Sequence, residues 1–153
     1  MGPTLDHKDT DRYFEEIEAG EEYAIADART ITEADIANFA GVTGDVHPLH
    51  MSERFATEAS PFDGRIAHGH LVYSLTEAVI TDENPKEFSY GHDDVRFVEP
   101  VYIGDTLSFS RRVVEREDHD ETYGRIVYHY EARNQHGDVV TIGDHIKLCE
   151  KRP

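Results

Sequence analysis

IAHGHLVYSLTEAVI, residues 66 to 80, is the most apolar helical candidate in the chain. Leu71, Ser74, Leu75, Ala78 and Val79 recur at spacings of three and four, which predicts one apolar face. Val72 and Ile80 widen that face, so the helix needs cover on most sides. It falls short of the ~20 apolar residues that a membrane span requires. The cover is written downstream. Residues 89–105, SYGHDDVRFVEPVYIGD, predict a strand up to Pro100 and a turn at Gly104 and Asp105. In TLSFSRRVVERE (106–117), Leu107, Phe109 and Val113 alternate onto one side; in YGRIVYHYEARN (123–134), Ile126, Tyr128 and Tyr130 do the same. VVTIGDHIKLCE (139–150) predicts the last strand. DHDET (118–122) and NQHGD (134–138) carry turn residues. The expectation is a meander of four strands, curved around the helix: an α+β fold.

Upstream, EEYAIADART (21–30) reads as a strand. In TEADIANFAGVTG (32–44), Thr32 is a good N-cap, and Glu33 and Asp35 sit where the helix dipole favours acids. Ile36, Phe39 and Ala40 give that helix an apolar stripe, with Gly41 or Gly44 to end it. SERFATEA (52–59) predicts a short helix capped by Ser52, and SPFDGR (60–65) a turn. Between the helices stands GDVHPLH, residues 44 to 50. Pro48 forbids a continuous helix through it and restricts the residue before it. The stretch therefore reads as a rigid loop able to aim Asp45 and His50 at one point. A carboxylate and an imidazole on one water make an acid/base pair. From spacing alone the stronger reading is that Asp45 caps the next helix and His50 is a packed imidazole.

The chain of 153 residues fits one domain: a polar segment over 1–19, frayed at its start, and a single domain over 20–150. Asp and Glu number 32 against 15 Lys and Arg, a net charge of −17, with only four Lys (8, 86, 147 and 151). The acids are scattered, not gathered in a tail. That pattern favours a protein of a salt-rich cytoplasm, where a Debye length of about 3 Å screens self-repulsion. An ordinary acidic domain is the competing reading. Nucleic-acid binding lacks its basic stripe, and no signal sequence or membrane partner is expected. The single Cys149 forms no internal disulfide, suits a reducing cytoplasm, and reads as a half-buried strand residue.

Three stretches in order resemble the MaoC-like hydratases, the hotdog-fold enoyl-CoA hydratases of R stereospecificity. GDVHPLH matches the family's Asp–His loop, IAHGHLVYSL the start of its central helix, and RFVEPVYIGDTL its strand-turn-strand. The likeness covers roughly residues 20–150. It implies a hotdog fold: a curved antiparallel sheet around a long central helix. It also implies reversible hydration of trans-2-enoyl-CoA to (R)-3-hydroxyacyl-CoA. By the resemblance Asp45 and His50 are the catalytic pair, and the Gly69 backbone N–H forms the oxyanion hole. The family's usual Asn falls at His47 and its usual Met at His70. His47, His68, His70 and Ser74 are candidate substrate contacts, although Ser74 also reads as a small residue against the sheet. Arg65 and Arg96 are candidates for the phosphates of coenzyme A, with pairing to neighbouring acids as the competing reading.

Hydration needs a water deprotonated at the β-carbon, a proton delivered to the α-carbon, and a stabilised thioester oxygen. Asp45 and His50 suit the first two needs, and Gly69 the third, since a helix N-terminus offers free N–H groups. No cofactor is expected, coenzyme A being part of the substrate. The His-x-His and His-x-x-His spacings suggest a metal, but no Cys joins them and none is expected. Glu77 either faces solvent or lines the acyl end of the pocket. Two rival functions stay open: an acyl-CoA thioesterase, and a non-catalytic acyl-CoA-binding domain. A homodimer is expected.

Overall fold

The computed structural model describes residues 11–81 and 83–153. Fraying is expected over residues 1–11, of which all but Asp11 lie outside the described residues. A short 3-10 turn, Phe14–Glu16, leads into β1 (Glu22–Thr30). Four helices follow: α1 (Glu33–Thr43), α2 (Pro48–Met51), α3 (Glu53–Ala59) and α4 (Gly69–Ile80). Then come β2 (Glu87–Phe97), β3 (Thr106–Asp118), β4 (Tyr123–Arg133) and β5 (Val139–Glu150). All neighbouring strands are antiparallel, in the order β1-β3-β4-β5-β2. The sheet curves around α4 in the hotdog arrangement.

The order corrects the expected four-strand meander. Only β3, β4 and β5 run as a meander; β2 crosses the sheet to pair with β5, and β1 takes the place beside β3. Hairpin turns join β3 to β4 and β4 to β5, whereas residues 98–105 between β2 and β3 form a longer connection. That connection includes an isolated bridge between Tyr102 and Ile66, so it passes the start of α4 rather than turning back on β2.

The core follows the alternation read from the strands. Leu107, Phe109, Val113, Ile126, Tyr128 and Tyr130 are all buried against α4 and the connecting loops. Phe14 and Ile17 join this core from the segment ahead of β1. The face of α4 differs from the expected one. Leu71, Val72, Tyr73, Thr76 and Ile80 are buried, whereas Ser74 and Ala78 are exposed. The sheet takes the side marked by Val72, Thr76 and Ile80, a strict spacing of four. Two polar residues follow that side inward. Thr76 satisfies its hydroxyl on the Val72 carbonyl at 2.7 Å, and Tyr73 bonds His92 at 2.6 Å.

Cys149 is fully buried, not half-buried, because it faces inward beside the Arg12 backbone. Burial pushes its thiol up to about 12. Among the described residues, no helix is long and apolar enough to cross a membrane.

Candidate active site

Three local devices place Asp45 and His50. Thr32 caps α1 through the Asp35 N–H, and Asp35 returns the bond to the Thr32 N–H at 2.9 Å. Gly44 ends the helix in the left-handed region, at φ 76°, where a side chain would be strained. Residues 45–47 then run as a loop. The expected loop stops at Pro48, because Pro48 opens the one-turn helix α2. Pro is tolerated at a first helical position, where its missing N–H has no helical partner anyway. His47 caps α2 by accepting the Leu49 N–H on Nδ1 at 3.1 Å, so its ring serves the local turn. Ser52 caps α3 through the Phe55 N–H at 3.1 Å, as expected.

A carboxylate oxygen of Asp45 and one ring nitrogen each from His50 and His68 lie within 4.8 Å of one another. His50 Nδ1 is 2.7 Å from the Ile66 carbonyl. A carbonyl can only accept, so Nδ1 carries the hydrogen and Nε2 keeps a lone pair when the ring is neutral. Burial holds the His50 imidazole below its ordinary titration range; the Ile66 bond pulls the other way, and the neighbouring His68 adds to the lowering. Asp45 is exposed, with its Oδ1 accepting the His47 N–H at 3.3 Å. The His50 and His68 rings stack 3.8 Å apart at 26°.

His50 and Gly69 open onto a cavity of about 420 Å³ whose wall is mostly apolar, with Phe62, Val72, Phe97 and Val101. Thr141 and Glu99 add polar groups. Gly69 is the first residue of α4, and a Cβ built there would lie 2.3 Å from the Phe97 ring. The glycine thus lets Phe97 close one side of the cavity. Asp45 stands beside this wall, not in it.

The remaining sequence candidates are spread out. His68 is buried and His70 exposed against the edge of Phe97, so the His-x-His pair splits to two sides. Ser74 is exposed on α4 and is not part of the cavity wall. Arg65 pairs with Glu33 at 2.7 Å and Glu53 at 2.8 Å, which ties α1 to α3. Arg96 is exposed on β2 and donates to the Val95 carbonyl. Glu77 faces His145 at 3.5 Å and His92 at 3.8 Å rather than the cavity. The His92 and His145 rings stack 4.0 Å apart, and burial pulls the His145 imidazole down to about 3.

Sequence reasoning passed over the Ile66 carbonyl, Phe97 and Thr141. Phe97 lies inside RFVEPVYIGDTL, but nothing in that motif says which way its ring points. A backbone carbonyl has no residue-type signal at all.

The comparisons agree with this architecture. A family model described as the MaoC like domain matches residues 15–134. Protein MaoC of Klebsiella aerogenes is 40% identical over 98 residues, 63% of this chain and 29% of that protein. The (R)-specific enoyl-CoA hydratase of Rhodospirillum rubrum is 38% identical over 97 residues, 63% of this chain and 65% of that enzyme. The matched stretch thus spans less than two-thirds of either relative. A solved structure described as the monoamine oxidase regulatory protein from Archaeoglobus fulgius superposes with a TM-score of 0.85 at 38% identity, covering 94% of this chain and 99% of that one. With its fold, its motifs and most of its length in agreement, the chain belongs to the MaoC-like dehydratase family.

Proposed function

We propose that this protein reversibly hydrates a trans-2-enoyl-CoA to the (R)-3-hydroxyacyl-CoA. The observation that carries the reading is the meeting of the Asp45 carboxylate and the His50 imidazole beside an apolar cavity that His50 lines. Water held between Asp45 and His50 Nε2 loses its proton as it attacks the β-carbon. The proton gained by the pair returns to the α-carbon, which keeps the step balanced. Charge growing on the thioester oxygen meets the Gly69 N–H, which no earlier helical carbonyl claims. The cavity takes the acyl chain, and its mostly apolar wall suits an alkyl group. The hydratase named among the relatives supports this assignment.

Loss of enoyl absorbance from a series of enoyl-CoA chain lengths, with chiral analysis of the product, tests it. Thiol release without hydration would indicate a thioesterase instead, and binding without turnover a non-catalytic domain.

A homodimer is part of the reading. Among the described residues, one edge of β2 pairs with no strand, and Phe88, Tyr90, Phe97 and Val98 are exposed on or just after that strand. An apolar strand edge invites pairing with a second copy. Light scattering at high salt is expected to give twice the chain mass; a monomer throughout would overturn it.

A further inference from the structure

The hydratase reading leaves the third imidazole of the site without a task. We infer that His68 is a positioning residue for that reaction, holding the Asp45 loop and the His50 ring in register. The inference rests on the hydratase reading and adds one residue to it.

His68 is 2% exposed and precedes α4, yet its side chain makes no capping bond to that helix. Its bond goes elsewhere: Nε2–H donates to the Asp45 backbone carbonyl at 2.9 Å, across 23 residues of sequence. The Asp45 loop is otherwise exposed, so this bond anchors it from below. One face of the His68 ring stacks on His50 at 3.8 Å. Phe39 of α1 meets the ring at 4.9 Å, tilted by 56°. Two residues earlier, the Ile66 carbonyl holds the Nδ1–H of His50. A single short segment, 66–68, therefore fixes both members of the pair: His50 by its Nδ1 and its face, Asp45 by its carbonyl.

The choice of imidazole also points to this task. His68 Nδ1 is buried with no hydrogen-bond partner among the described residues. A ring kept only for packing would do better as phenylalanine, which buries no unpaired nitrogen. The nitrogen that justifies the imidazole is the one on Asp45. Misplacing a reacting group by about 1 Å can cost about 10² in rate.

Three substitutions in the full chain separate this role from packing. His68→Ala removes bond and stack, His68→Phe keeps the stack, and His68→Gln keeps an N–H donor. The Ala and Phe variants are expected to lose about 10- to 100-fold in kcat with KM changed less than about twofold, and Gln to recover much of the loss. A packing role predicts the reverse order, with Phe near wild type and Gln as poor as Ala; that result overturns the inference. A second readout does not need turnover. Hydrogen exchange of the backbone amides of residues 45–47, the loop that His68 ties down through the Asp45 carbonyl, is expected to quicken in the Ala and Phe variants and to stay nearer wild type in Gln. Unchanged exchange in the Ala and Phe variants also overturns the inference. If the wild type hydrates no enoyl-CoA but the exchange follows this order, the hydratase reading fails and the clamp stands.

Discussion

His50 has one ring nitrogen already committed. Its Nδ1–H goes to the Ile66 carbonyl at 2.7 Å, so only Nε2 can take a proton from water. Asp45→Asn and His50→Ala are each expected to lower hydration by at least about 10², since one positioned acid–base group is typically worth 10²–10⁴. If both hold the same water, losing either loses it, and the double mutant should be scarcely worse than the worse single mutant. Initial rates on a short enoyl-CoA, with circular dichroism to check the fold, measure this. The pH dependence has a definite sign. The His50 midpoint lies below its ordinary 6.5, so the neutral base survives as pH falls through 6.5. The acid limb of the rate is expected below that value; a limb at or above 6.5 would contradict the depressed imidazole. The spacing showed only that Asp45 and His50 could meet; the family resemblance, not the spacing, favoured them as a pair. The Ile66 bond was not, because any residue offers the same carbonyl.

On the scale of elements, Gly69 sets two demands against each other. Alanine in a helix is normally favoured over glycine by up to about 1 kcal/mol. Here its methyl would sit 2.3 Å from the Phe97 ring. Gly69→Ala is therefore expected to destabilise by about 1–3 kcal/mol, as overpacking does, and to raise KM by displacing a cavity wall. Adding Phe97→Ala should restore much of the stability, which thermal melts of the single and double variants would read. The helix itself was legible from its spacing, and its buried side in part: Leu71, Val72 and Ile80 are buried and Leu75 and Val79 pack against the core, whereas Ser74 and Ala78 are exposed. Leu71, Ser74, Leu75, Ala78 and Val79 formed the apolar face by side-chain type alone. The sheet instead covers Tyr73 and Thr76, whose polar atoms find partners in His92 and the Val72 carbonyl. Polar residues that bond locally can be buried, and periodicity counted on apolarity misses them. The crossing of β2 to β5 was hidden for a related reason. Alternation marks a strand without naming its neighbour.

The whole molecule is governed by its charge. A net −17 on 153 residues is self-repelling in dilute salt. Several acids are locally paired, as Glu33 and Glu53 are through Arg65, but Lys and Arg are too few to offset the rest. Stability and activity are expected to rise from low salt to molar potassium chloride, where the Debye length is about 3 Å. Melting temperatures that stay flat or fall with salt would make this an ordinary acidic domain. Composition made that charge legible, whereas no feature of composition foretold how deeply Cys149 would sit. The thiol is at the end of β5, beside the backbone of Arg12, with its ionisation pushed up to about 12. In the closed protein it is neither accessible nor a thiolate, so it cannot react. Being the only cysteine, it gives the chain a built-in clock. Its rate of alkylation at fixed pH counts how often the strand end and the Arg12 segment part, with no engineered cysteine and no denaturant.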